Sequence, residues 1–401
     1  MESNHHSHIV MHSFLHSKMG KLYIFQALLS FAKSMIGVFV PVYLFKIGFE
    51  IHQILLYVMI TSIFVLLALP IATKLIKKIG FKYTIFATIP IYLLHILTIN
   101  FIQTNNYIYI ISSALFGIYC AMFWPAYHTE VIKNSDKKHM SSQIGNIQII
   151  VTLVSTLAPL IGGYILENQN FLTLFTIAGI LILIGIIPLL MSVDIKLDHY
   201  KFSSKAYLKV IKSKKHKNCI RAFAAQGIDT FLLLIIWPII IFILFKGNFF
   251  TFGTFVTIVS LITVLIVYFI KQYFDKMNKE KILKKTFRTI SIGWLMRSLT
   301  FVFGFLYLYF VEGVLKIAQN VGGILFSSIF YSNANKLEKY LDYIITREIV
   351  IHTIRIMLLA ILIPVFFYIK GNLVTLSSLL IIGIITSWII GGFKEINPEN
   401  L

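Results

Sequence analysis

Acidic residues are scarce in this chain: 16 Asp and Glu stand against 36 Lys and Arg, and only 13% of the 401 residues are charged at all. That shortage excludes several functions. An enzyme embedded in a membrane would be expected to cluster carboxylates or histidines near an interface, for instance to hold a metal around a lipid phosphate. No such cluster is visible in the sequence. Cysteine is scarcer still, with only Cys120 and Cys219, too few for a disulfide framework or a thiolate metal site. No Gly-x-x-x-x-Gly-Lys-Ser/Thr segment occurs, so nucleotide hydrolysis is not the energy source within this chain. Neither a metal nor a cofactor is expected, and the chain is not expected to be an enzyme.

Apolar sequence is what the chain has in abundance, at 58% of residues. It falls into twelve runs, at 22–45, 51–73, 83–101, 106–127, 143–166, 171–192, 221–245, 250–270, 289–308, 310–332, 348–369 and 373–392. Each is close to the ~20 residues that a helix needs to cross ~30 Å of hydrocarbon. The pattern predicts an all-α membrane protein with twelve transmembrane helices. The first run is too long for the core of a cleaved leader and no small-residue cleavage site follows it, so it is expected to remain as a span.

The cations between the runs are not evenly placed. With Met1 in the cytoplasm, 29 of the 36 Lys and Arg lie in cytoplasmic segments, three (Lys46, Lys246 and Lys370) lie on the opposite side, and four lie inside runs. Retention of positive loops inside predicts a multi-pass protein of the cytoplasmic membrane with both termini cytoplasmic. The same distribution explains the net charge of +20. In a soluble protein it would suggest nucleic acid; spread over many short loops it suits topology and contact with anionic lipid heads.

Six runs precede the longest polar connection and six follow it. The expected organisation is a cytoplasmic tail at 1–21, a six-helix bundle at 22–192, a basic cytoplasmic linker at 193–220, a second six-helix bundle at 221–392 and a tail at 393–401. Tyr207 to Ile211 in the linker suit a short helix lying on the membrane surface. The halves also rhyme. Phe45-Lys46-Ile47-Gly48 closes the first run much as Phe245-Lys246-Gly247 closes the seventh, each after a proline, Pro41 or Pro238. Basic connections follow the second and eighth runs, as in a repeated six-helix unit.

Those basic connections carry a nameable likeness. Thr73-Lys74-Leu75-Ile76-Lys77-Lys78-Ile79-Gly80-Phe81-Lys82 resembles the Gly-x-x-x-Asp-Arg/Lys-x-Gly-x-Arg/Lys loop between the second and third helices of the major facilitator superfamily. Lys78, Gly80 and Lys82 match, whereas Thr73 replaces the first glycine and Lys77 the acid. The looser second copy, at 271–281, keeps Asp275, Lys276 and a turn-competent Asn278. In that family the acid of the first loop helps latch the halves on the cytoplasmic side, so here either Asp275 carries the latch from the other half or the latch is weak. Ala158-Pro159-Leu160-Ile161-Gly162-Gly163 is similar to the Gly-Pro-x-x-Gly-Gly end of the motif associated with the family's antiporters, a leaning toward export. Pro159 permits a kink, and Gly162 and Gly163 allow close helix approach, so packing alone would also explain them.

The resemblance implies two pseudo-symmetric bundles and a secondary transporter working by alternating access, with a small-molecule substrate, protons or sodium as coupling ion, membrane lipids as surroundings and no nucleic acid. A monomer is expected. A lipid or amphiphile flippase on the same fold is the alternative.

A charge at the centre of a membrane helix costs about 2.5–3.5 kcal/mol on insertion scales, so such residues point to a cavity. Lys33 lies too deep to reach the surface easily, and the resemblance places helices 1 and 7 at equivalent cavity-lining positions. Lys33 and Asp229 are therefore candidates for a pair across the cavity, although the sequence does not show that they meet. Trp124 and Tyr127 in the fourth run are candidates to stack on a substrate, and Gln319 and Asn320 to hydrogen-bond it. Glu312 and Lys316, spaced i,i+4, are expected to neutralise one another. His128 and Glu130 are expected near the surface and solvated, Arg297 to be structural, and Arg355 to snorkel. His12 and His16 share a helix-compatible spacing, yet without a third ligand they suit a mobile tail better than a metal site.

Overall fold

The computed structural model describes residues 18–102, 106–135, 140–191, 216–271, 278–337, 340–369 and 371–396. The N-terminal histidines, most of the basic linker with its expected surface helix, and Asp275 with Lys276 lie outside the described residues. Among the described residues all regular structure is helical. The N-terminal half runs through α1 (Lys18–Gly37), α2 (Phe39–Lys46), α3 (Ile51–Ile99), α4 (Asn106–Asn134), α5 (Met140–Ser155), α6 (Ala158–Asn168) and α7 (Phe171–Leu190). The C-terminal half runs through α8 (Lys217–Phe231), a π-helical turn (Leu232–Ile236), α9 (Trp237–Leu244), α10 (Phe249–Lys271), α11 (Lys279–Ser298), α12 (Thr300–Lys336), α13 (Tyr340–Tyr368), α14 (Leu373–Leu379) and α15 (Ile381–Ile390).

Ten of these helical stretches are long and apolar enough to cross a membrane. The expected twelve follow when the 49-residue α3 is divided at its kink and the more polar α11 is counted as a crossing. The kink in α3 falls at Gly80, whose φ of 85° and ψ of 174° suit glycine alone. A second hidden turn lies at Gly304, with φ 78°, inside what the sequence reads as the run 289–308. The ninth crossing therefore ends, and the tenth begins, several residues earlier than the apolar runs suggest. Hydropathy does not reveal this turn, because it is apolar on both sides.

Three other breaks have a single chemical cause. Proline lacks the N–H that would bond the carbonyl four residues back. Pro41 leaves Gly37 without its helical donor, and α1 stops at Gly37; Pro159 does the same to Ser155, and α5 stops there. Pro238 follows the π-helical turn, in which Trp237 reaches back five residues to Leu232. The hairpins beyond are closed alike in the two halves. Gly48 and Gly247 have φ of 99° and 78°, and Lys246 joins the second turn with φ 52°. Side chains of Asn170, Asn278 and Asn372 cap the following helices. Asn278 is extended, at φ −70°, rather than left-handed as its turn propensity suggests.

The halves meet where α2 packs on α9, α3 and α4 on α13, α5 and α6 on α10, and α4 and α5 on α12. Large apolar side chains such as Leu306, Tyr368 and Trp388 remain exposed on the outside, as a lipid-facing surface requires.

Candidate functional site

A cavity lies between the halves, in two lobes that share Gly37 and Leu234. One lobe, about 270 Å³, is walled mainly by apolar side chains, chiefly of the first, second, third and seventh crossings, with His95 and Arg355 also on its lining. The other, about 390 Å³, is polar and lies among α1, α5, α10, α11 and α12, with the broken seventh crossing as one wall. A larger concavity of about 640 Å³ is lined by the C-terminal half alone, so it does not lie at the interface.

Cations dominate the polar lobe. Arg297 of α11 is buried, and it donates from Nε to Glu312 Oε1 (2.5 Å) and from Nη2 to Oε2 (3.0 Å). Its guanidinium also lies 4.7 Å from the ring centroids of both Trp237 and Trp294, a position that ring quadrupoles favour. The turn at Gly304 creates this pair by folding α12 back on α11. Glu312 is thus committed to Arg297 and not to Lys316, which makes no ion pair or hydrogen bond through its ammonium among the described residues. Lys33, also on the lobe, has its ammonium 3.9 Å from the ring centroid of Phe123, 5.0 Å from Tyr119, 5.5 Å from Trp124 and 5.9 Å from Tyr92. An aromatic box, with no carboxylate in contact among the described residues, holds the ammonium.

The residues singled out from sequence divide accordingly. Lys33, Gln319 and Asn320 line the polar lobe, and Asn320 Oδ1 accepts from Thr152 across the two halves at 3.0 Å. Trp124 reaches the site through Lys33. Tyr127 is buried, stacked on Phe123, and lines neither lobe. Asp229 also lines neither; its Oδ1 accepts from Trp294 Nε1 (2.9 Å) and Ser387 Oγ (3.1 Å) within the C-terminal half. The candidate Lys33–Asp229 pair is not formed, because the helical register of α8 turns that carboxylate toward α11 and α15. Arg355 does not snorkel: Nη2 donates to Gly227 O (3.1 Å) and Thr230 Oγ1 (2.9 Å) across from α13 to α8.

On one side of the cavity small residues join the halves. A methyl group on Gly163 would lie 2.5 Å from the Phe249 carbonyl oxygen of the other half, whereas one on Gly162 would lie 2.5 Å from that of Met35 within the N-terminal half. Phe39 meets Phe249 and Phe252 edge-on at the same level, and Leu160 N donates to Thr257 Oγ1 at 3.1 Å. Toward the basic loops the join is polar. His128 Nδ1 meets Tyr331 Oη at 2.7 Å while Arg347 Nη1 donates to His128 Nε2 at 3.0 Å, with Glu348 2.7 Å from the same guanidinium nitrogen. His128 and Glu130 are therefore buried rather than solvated, His128 in contact with the other half. The missed signal was their place on the basic-loop end of a helix that faces α12 and α13. In the first basic loop Lys82 is buried beside Tyr83, and Gly80 forms the kink. Lys78 enters no hydrogen bond or ion pair among the described residues.

Two halves of membrane-spanning helices, joined on both sides of a central cavity, define a polytopic membrane protein of the carrier architecture. The family model described as Major Facilitator Superfamily matches residues 22–337, and the chain belongs to that superfamily of transporters. A comparison with curated protein sequences finds no match. Among solved structures, the transporter FucP in the outward conformation is similar over 95% of this chain and 98% of its own, with TM-score 0.68 and 13% identity. A variant of FucP, described as the E. coli fucose:proton symporter, is similar over 93% and 97%, with TM-score 0.65 and 13% identity. At that identity the likeness shows the shared fold.

Proposed function

We propose that the chain is a secondary active transporter that moves a small solute across the cytoplasmic membrane by alternating access. The observation that carries this reading is the polar lobe, enclosed between the halves and flanked on both sides by contacts that would have to break in turn. Breaking the His128–Arg347 join while the glycine seam holds exposes the lobe toward the basic loops; breaking the seam while that join holds exposes it the other way. The basic loops face the cytoplasm in this reading, with the bundles at 22–192 and 221–392 as the two moving bodies. Protons or sodium supply the driving force, and the symporter description of one fold neighbour favours protons. Asp229, a carboxylate held next to the Arg297–Trp294 stack, is the candidate proton carrier. The leaning to export rests on Pro159, Gly162 and Gly163, whose visible contribution is packing.

Reconstituted protein in proteoliposomes, loaded with a solute panel under imposed proton or sodium gradients, tests the proposal. Accumulation that an ionophore collapses is expected. No solute movement under either gradient would reject it. The apolar lobe beside the polar one also fits an amphiphile, and transbilayer movement of a labelled lipid in the same vesicles would favour the flippase reading.

A further inference from the structure

The polar lobe offers far more hydrogen-bond donors than acceptors. Arg297 is 1% exposed, yet its Nη1 has no hydrogen-bond partner among the described residues, its other nitrogens being committed to Glu312. Trp237, 3% exposed, leaves Nε1 unpartnered in the same wall, and Gln319 leaves Nε2 unpartnered. Buried donors are rarely left unmatched, since each costs a desolvation penalty, so three around one cavity call for an acceptor that enters it. Charge agrees. Lys33, Lys316 and Arg297 line the lobe against one carboxylate, Glu312, which Arg297 already engages in bidentate fashion. Two other buried acids are occupied: Asp229 accepts from Trp294 and Ser387, and Glu348 is bonded to Arg347.

Resting on the transport reading above, we infer that the solute is an organic oxyanion, a carboxylate or phosphate ester whose head is held in the polar lobe by Lys33, Lys316 and the free donors of Arg297 and Trp237. The adjoining apolar lobe, continuous at Gly37 and Leu234, receives a short hydrocarbon or aromatic body. The aromatic box sets Lys33 without a carboxylate that an incoming anion would have to displace. Glu312 fixes the guanidinium and leaves its Nη1 without a partner among the described residues. An oxyanion supplies the several acceptor lone pairs these donors lack; a cation would meet three like charges there.

Trp237, which lines the lobe, and Trp294 flank Arg297 and report its surroundings. The full chain in nanodiscs of zwitterionic phosphatidylcholine is titrated with hexanoate and with hexyl phosphate, and in parallel with hexylammonium and hexanol, following tryptophan fluorescence. Both anions should give saturable changes and compete with one another, while the amine and the alcohol should not. Lys33→Gln and Lys316→Gln should each weaken anion binding at least tenfold, and unfolding temperature without ligand should stay near the parental value, because neither substitution strands a carboxylate. Equal binding of hexylammonium, or anion affinity unchanged in both variants, would overturn the inference. Repeating the titration with phosphatidylglycerol in the disc separates sources: a competitive shift assigns the anion to a lipid head, no shift to a free solute, and either keeps the oxyanion. Counterflow of labelled hexanoate in proteoliposomes separates this inference from the transport reading. Binding without counterflow sinks transport and keeps the oxyanion; counterflow of a neutral solute with no anion binding does the reverse.

Discussion

At the scale of single residues, the Arg297–Glu312 pair carries the clearest energetic consequence. Removing one partner of a buried pair leaves an uncompensated charge, at a cost of about 3–5 kcal/mol, whereas replacing both with apolar groups is often neutral. Glu312→Leu should therefore lower the unfolding temperature strongly, and Arg297→Met with Glu312→Leu should recover most of the loss; thermal unfolding in detergent checks both. Asp229→Asn is the complementary case, since the amide keeps an oxygen for Trp294 and Ser387. Folding should persist, and if Asp229 carries the coupling proton, accumulation against a gradient should vanish while downhill exchange survives. Its effect should add to that of Lys33→Met, because the two side chains are not in contact and share no partner. Retained accumulation in Asp229→Asn would reduce that carboxylate to a structural acceptor. The depth of Lys33 was legible from its distance to the helix end, but its aromatic box was not, as the rings come from α3 and α4. The Arg297–Glu312 pair was hidden for a different reason. The two residues stand seven before and eight after Gly304, so a turn there brings them level, and a glycine amid apolar residues is a weak sign of a turn.

At the scale of elements, proline and glycine decide where helices break and where they touch. The family loop was readable because Gly80 has a backbone only glycine tolerates well. Gly80→Val should add roughly 1–3 kcal/mol of local strain and slow transport while membrane insertion persists, which uptake assays on matched expression levels would show. Asp275→Asn, the proposed remaining acid of the latch, should do likewise. The contribution of the fifth crossing was read from sequence as packing or direction of transport, and its glycines lie at backbone contacts with α1 and α10. Gly163→Ala would press a methyl group against the Phe249 carbonyl, with backbone on both sides and no flexible side chain to yield. It should bias the protein toward opening on that side, seen as increased thiol labelling of a cysteine placed at Ser260. The opposite join depends on an unprotonated His128, because a protonated ring can no longer accept from Arg347 and would face its charge at 3.0 Å. Tyr331, Trp124 and Glu348 surround this contact, and only the last is acidic. Acidification should therefore loosen it, raising labelling of a cysteine at Ser135, and His128→Gln should remove most of that pH dependence.

At the scale of the whole molecule, hydropathy and charge asymmetry made the membrane architecture legible, since both depend on composition over some twenty residues and not on contacts. The proposed sidedness rests on the same asymmetry and has a direct check. Single cysteines at Asn106, Asn168 and Asn248 should react with an impermeant thiol reagent from outside, and those at Ser135, Ser204 and Asn278 only from the cytoplasm; the native Cys120 and Cys219 are buried and give little background. A consistent inversion would reverse the orientation. The proline-linked breaks add something that neither composition nor the repeat announces. Gly37 with Val38, Ser155 with Pro159, and Leu233 with Leu234 flank the three breaks, and all six line the polar lobe or its boundary. The outer segments α2, α6 and α9 are therefore short levers hinged at one depth, able to tilt while the inner helices stay joined through His128 and Arg347. Two barriers that fail independently make leakage a coincidence, its frequency set by the product of two small opening probabilities, so a gradient can be held even if either barrier breathes often.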